Sequence, residues 1–257
     1  MEKDFKKLKS FLASKVELYN RPEFIAKDPI SIPHLFTKKE DIEIAGLLSA
    51  TIAWGNRTMI LQNANRLMEM MDFSPYDFVL NFNDGDLKIF KKFVHRTFNS
   101  IDLHYFLWSL KNIYQEHGGL EKIFITEAGI KEAILYFRNI FFELDYPTRT
   151  SKHIANPAKN SSAKRLNMFL RWMVRKDDKG VDFGIWKTIH PSQLYCPLDI
   201  HSGRVARQLG ILERKQDDWK AVEELTENLR QLDPTDPVKY DFALFGMGVN
   251  ENFKTAL

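Results

Sequence analysis

Leu198-Asp199-Ile200-His201-Ser202-Gly203-Arg204-Val205-Ala206-Arg207-Gln208-Leu209-Gly210 is the stretch on which the reading of this chain turns. Pro197 and Leu198 are apolar, Asp199 is acidic, and a helix can start at once in Ile200-His201-Ser202. A lone carboxylate thus stands at the mouth of a helix, where backbone N–H groups and the positive helix end favour an anion. Arg204 and Arg207 follow one and two turns further in. A charge kept out of bulk water in this way can stabilise a developing cation. The bland role for the same aspartate is an N-cap, and spacing alone favours the cap.

Outward from that stretch, apolar residues recur at helical spacing almost everywhere. Phe5, Leu8, Phe11, Leu12 and Val16 mark a first amphipathic helix. Thr37 and Glu40 have capping-box spacing and open a second helix that stops at Trp54-Gly55-Asn56. A third runs through Met59, Leu61, Leu67 and Met71, and Ser74-Pro75 starts a short fourth. Ser100 is the expected cap of a helix to His117, ended by Gly118-Gly119, and one long helix is expected from there to about Phe142. Residues 145–162 read as loop, helicity resumes over 162–174, and the chain closes with helices near 202–209, 217–232 and 236–246. No strand or hairpin signal and no internal repeat stands out. The expected class is all-α.

Composition agrees with that class. The chain has 257 residues, 44% hydrophobic and 28% charged, enough for one large domain or two lobes with a sizeable core. Phe is used 20 times and Gly only 12, which suits packed helices better than a loop-rich β architecture. No apolar run is long enough to cross a bilayer, and the start of the chain lacks the apolar core of a signal peptide. The single cysteine, Cys196, rules out an internal disulfide and any multi-cysteine metal site within one chain. The reducing cytoplasm is therefore the default compartment. His190, Cys196 and His201 match no metal-site spacing, and no metal or other cofactor is expected.

Net charge is only +3, but it is unevenly spread. Between Tyr146 and Lys176 lie eight basic residues (Arg149, Lys152, Lys159, Lys164, Arg165, Arg171, Arg175, Lys176) and no acid. Such a segment suits a polyanion-binding face, or equally a solvated edge. Arg171 and Arg175, four apart, share a helix face and could both track a phosphate backbone.

Three matches, in order, resemble the helix–hairpin–helix DNA glycosylase superfamily, which includes endonuclease III and the 8-oxoguanine glycosylases. Ile44-Ala45-Gly46-Leu47-Leu48-Ser49-Ala50 is similar to that group's early helix. Leu198-Asp199-Ile200-His201 and the helix to Gly210 are similar to its Val-Asp-Thr-His segment, and 236–248 resembles its late helix. The whole chain also resembles a bacterial family of conserved hypothetical proteins. The resemblance implies a two-lobed fold with a central cleft. One lobe would span 37–187, with a degenerate hairpin near 155–175; the second would comprise 1–36 and 188–257 and carry Asp199.

The resemblance also implies roles. Asp199 would be the catalytic carboxylate and Lys164, 35 positions earlier, a lyase nucleophile facing it across the cleft. Ser161, Ser162, Arg165, Arg171 and Arg175 are the expected phosphate contacts, and Thr51 stands at the position of the family's gap-filling residue. By their own chemistry Asn56 and Arg57, beside Trp54 at a helix–turn–helix junction, could contact a base, although packing is the commoner role of such a Trp. The implied activity is excision of a damaged base, such as an oxidised purine, from double-stranded DNA. The protein is expected as a nucleoid-associated monomer without an iron–sulfur cluster. Two departures matter: 155–164 contains no glycine where the family has a Gly-rich hairpin, and Thr51 stands where a glutamine is usual. They leave two rival expectations, a catalytically inactive DNA-binding module with the same fold and a helical protein-interaction scaffold.

Overall fold

The helical periodicity is realised in a computed structural model, which describes residues 2–251, with side chains from residue 5. Among the described residues, α1 (Glu2–Tyr19) and α2 (Pro22–Ile25) are followed by α3 (Lys39–Ile52), α4 (Arg57–Met70) and α5 (Pro75–Asn81). Next come a two-stranded hairpin, β1 (Val94–His95) and β2 (Phe98–Asn99), then α6 (Ser100–Glu116), α7 (Leu120–Phe124) and α8 (Ile130–Phe141). The chain closes with α9 (Lys164–Val174), α10 (Ile200–Gln208), α11 (Trp219–Leu232) and α12 (Tyr240–Asn250). The all-α expectation holds, and no described helix is long and apolar enough to cross a membrane.

Local chemistry moves several boundaries. Thr37 and Glu40 form no capping box; Lys38 is the N-cap of α3 and makes no side-chain cap bond. Asn99, not Ser100, caps α6: its Oδ1 accepts the Ile101 N–H, and Asp102 returns a bond to the Asn99 N–H. The helix expected from 120 to 142 is broken, because Gly129 turns left-handed at φ +101° and α8 starts afresh behind it. The antiparallel hairpin pairs Val94 with Asn99 and His95 with Phe98. Two-residue strands are too short for a period-2 pattern to show in sequence.

The chain divides into two compact units, residues 26–156 and residues 1–25 with 157–257. This corrects the expected boundaries at 36 and 187. Residues 29–35 form two short 3-10 turns packed on α3, so they belong with the first of these units. Residues 157–187 are tied into the other unit by the main-chain bond from the Trp219 N–H to the Asn160 carbonyl and by side-chain ion pairs described below.

The unit of residues 26–156 is built on aromatic packing, with Phe90, Phe98, Phe106, Phe137 and Phe141 fully buried. Each such ring contributes about 1.5–3 kcal/mol by leaving water. In the second unit α12 is almost entirely buried and packs on both α1 and α10. A Cβ on Gly246 would run into the Tyr19 ring of α1, and one on Gly248 would lie 2.8 Å from the His201 carbonyl oxygen of α10. Glycine at these two positions is what allows the helices to approach so closely.

Candidate active site

Asp199 is the N-cap of α10, as its spacing suggested. Its Oδ1 accepts the N–H groups of His201 and Ser202 at 2.9 and 3.0 Å, and the Ser202 hydroxyl returns the bond to the Asp199 N–H at 3.0 Å. Capping occupies only one carboxylate oxygen. The other, Oδ2, lies 3.7 Å from the Nζ of Lys164, and both side chains are partly open to solvent. Ile200, the next residue, is 73% exposed, so α10 starts at an open surface. One oxygen therefore fixes the side chain and the other faces the amine.

The partner amine arrives from α9. Lys164 is its first residue, preceded by Ala163 at φ +48°, and no side chain caps this helix. The loop before it has no glycine, yet Asn160 (φ +63°) and Ala163 both take the left-handed backbone that glycine would ordinarily supply. Such a conformation costs of order 1 kcal/mol per residue and persists where the surroundings enforce it. Here Asp218 does so. Its Oδ2 accepts from Asn160 Nδ2 at 2.8 Å, Ser161 and Asp218 form an isolated β-bridge, and the Trp219 N–H donates to the Asn160 carbonyl. Asp218 also caps α11 and accepts from two guanidinium nitrogens of Arg214, Nε at 2.7 Å and Nη2.

Lys164 and Asp199 thus come from the same compact unit, which corrects the expectation that they would face each other from different lobes. Ser161 and Ser162 sit half-buried in the braced loop. The Ser161 hydroxyl accepts the Ala163 N–H at 3.3 Å, and the Ser162 carbonyl accepts from Asn167 Nδ2. Arg165, half-buried in the first turn of α9, has its guanidinium pushed below its ordinary pKa by burial.

Arg171 and Arg175 are corrections. They are 3% and 2% exposed and face the interior, so they do not track a phosphate backbone. Arg171 bonds Asp182 (3.2 Å) and Asp241; Arg175 bonds Asp177 (2.7 Å), Asp236 (2.9 Å) and Asp182 (3.1 Å). Both guanidinium groups lie over the Phe242 ring. The basic run counted from sequence is partly an internal counter-charge to acids that arrive from 177–182 and 236–241. Arg149 is similarly spent on Asp102, at 2.8 Å. In this unit's 157–176 segment Lys159 and Lys176 are exposed and Lys164 and Arg165 are half-buried.

The remaining expected contacts belong to the 26–156 unit. Thr51 is buried in α3, which withdraws it from contact with DNA. Asn56 is exposed but accepts the Met59 N–H as the cap of α4, and Arg57 donates to the Lys27 carbonyl. Sequence reading missed that Trp54 and His95, 41 residues apart, meet here: His95 bonds Asn63 and the Trp54 carbonyl, and Arg96 lies over the Trp54 ring. Burial lowers the His95 pKa.

Cys196 is wholly buried, with its thiol pushed up by burial. His190 caps a short turn through Ser192. Among the described residues no group of three or more His, Cys, Asp or Glu is placed to hold a metal. Arg204 and Arg207 are structural: Arg204 donates to the Gly248 carbonyl and Arg207 to the Arg214 carbonyl and Asp217.

No curated protein and no solved structure matches the chain. A family model described as "Protein of unknown function (DUF2400)" matches residues 28–250, a span that contains Lys164, Asp199, the braced loop and Asp241. The chain belongs to the DUF2400 family.

Proposed function

We propose that this protein is a DNA base-excision glycosylase with lyase activity, in which Lys164 is the nucleophile and Asp199 the stabilising anion. The observation that carries the reading is the 3.7 Å approach of the Lys164 amine to the one Asp199 oxygen that capping leaves over. Breaking a glycosidic bond builds positive charge on the sugar, and a fixed anion lowers that barrier. The neutral Lys164 amine adds to the sugar carbon as the bond to the base breaks with its electron pair, and the base takes up a proton. Ring opening then gives a protonated Schiff base, the species that permits strand cleavage. The target nucleotide must be flipped out of the duplex to reach such a pair, and a damaged base is the cheapest to flip. The uncapped first turn of α9, with Lys159 and Arg165 near it in sequence, suits a phosphate.

The test is excision on duplexes carrying a panel of damaged bases, with borohydride added to reduce any Schiff base. Trapping with at least one lesion is expected, lost in Lys164→Ala and with excision lowered roughly 100- to 1000-fold in Asp199→Asn. No adduct with any lesion, or trapping unchanged without Lys164, would sink the lyase role. Salt-sensitive duplex binding without excision would point instead to a catalytically silent module of the same fold.

A further inference from the structure

The unit of residues 26–156 carries a run of cations that no acid answers. From Leu87 to Ile101 the chain has no acid, and its basic side chains Lys88, Lys91, Lys92 and Arg96 are all exposed. The three lysines belong to a 3-10 helix, Asp86–Lys92, in which side chains three apart lie one above the other. Leu87, Phe90 and Phe93 therefore share one face, and all three are buried. Lys88 and Lys91 share a second face, Ile89 and Lys92 the third. The buried row thus fixes the lysines outward. Among the described residues none of these four cations forms an ion pair or a side-chain hydrogen bond. Arg149, Arg171 and Arg175, by contrast, are each spent on a buried carboxylate.

Arg96 is held in place before any partner arrives. The hairpin register leaves Arg96 and Thr97 as a two-residue turn, and the favoured turns of that length need a left-handed first residue, ordinarily glycine. Arg96 takes that conformation at φ +55°, a strain that glycine would avoid. Its guanidinium lies over the Trp54 ring at 4.7 Å. Gly55 makes the room, since a Cβ there would lie 2.9 Å from Arg96 Cδ. Buried His95 ties the hairpin to this turn through the Trp54 carbonyl, at 3.1 Å. A merely solvated arginine needs none of this, whereas a preset flat cation costs less to order on binding.

We propose that Lys88, Lys91, Lys92 and Arg96 form a contact surface for the phosphate backbone of duplex DNA. The proposal rests on the DNA reading above and adds to it a surface on the unit that does not carry Lys164 and Asp199. Closely spaced phosphates suit a row of unpaired lysines, which bind by releasing the counterions of the duplex. An anionic membrane is the poorer match. Phe90 and Phe93 point into the core and leave only Ile89 and Val94 outside, too little apolar surface to enter lipid.

The experiment measures binding of the full chain to an undamaged duplex against salt, by fluorescence anisotropy, so that no excision is needed. Each phosphate neutralised adds about 0.9 to the slope of log K against log salt. The triple variant Lys88→Gln/Lys91→Gln/Lys92→Gln is expected to lower that slope by roughly two to three, and to weaken binding on the order of 100-fold at about 0.1 M salt. Its Tm should stay within about 2 °C, because only exposed side chains change. Arg96→Gly removes the cation and the strain together, so the slope should fall by about one with Tm unchanged or raised. Lys6→Gln/Lys7→Gln/Lys9→Gln takes the same charge from exposed positions of α1 and should leave the slope nearly unchanged. A slope unchanged in the first triple variant overturns the proposal, as does an equal loss in the α1 variant. So does a wild type that does not bind the duplex, whether or not it binds phosphatidylserine vesicles. Excision that persists while the first triple variant keeps the wild-type slope sinks this surface alone. The expected loss of slope in a protein that excises nothing sinks the glycosylase reading alone.

Discussion

Replacing Arg175 by alanine separates an internal charge network from a DNA-binding surface. The guanidinium is 2% exposed and holds Asp177, Asp236 and Asp182 at 2.7, 2.9 and 3.1 Å. Removing it leaves three carboxylates within one small region, and only Asp182 keeps another arginine, Arg171. Breaking a buried ion pair by removing one partner costs about 3–5 kcal/mol, because the abandoned charge stays buried. For a chain of this size each kcal/mol lowers Tm by about 2–4 °C, so the expected loss is roughly 6–20 °C. Differential scanning calorimetry at pH 7 measures it, with duplex-binding affinity followed against salt in parallel. An arginine on a phosphate-binding face would behave oppositely. Its loss would leave Tm nearly unchanged and reduce the salt slope of binding by about one. That second pattern would refute the network and restore Arg175 to the surface.

Two further outcomes are expected. Ala163→Gly relieves the left-handed strain just before Lys164 and should leave stability unchanged or raise it by up to about 1 kcal/mol, measured by urea unfolding; a clear loss would mean that the buried methyl outweighs the strain. For Asp233, burial works against the anion. Bonds from Lys239, Thr235 and the Thr235 and Asp236 amides nevertheless hold its carboxyl well below the ordinary value. A depressed carboxylate adds stability that is present above the unfolded pKa, near 4, and is lost as pH falls below it. Asp233→Asn should therefore lower stability at pH 7 and flatten its decline between about pH 4 and 2. An unchanged acid limb would show that these bonds contribute nothing to the linkage.

Lys164 and Asp199 were both legible as helix-start residues, because capping is a short-range matter of neighbouring amides. Their approach was not, since it depends on where α9 and α10 pack. The glycine-free run before Lys164 reads in sequence as a degenerate hairpin with less backbone freedom. Only the fold reveals that Asn160 and Ala163 supply the left-handed turns, braced by Asp218 from 58 positions away.

By itself the sequence determined the all-α class, most helix positions and the Asp199 cap. These follow from periodicity and local hydrogen bonding, which act over a few residues. Tertiary structure alone decided which charges face solvent. Arg171 and Arg175 look on paper like Arg165, and only long-range packing brought Asp182, Asp236 and Asp241 against them. Charge type is written in the chain, but burial and partner choice are properties of contacts between distant segments, and those contacts decide whether an arginine meets a ligand or its own core.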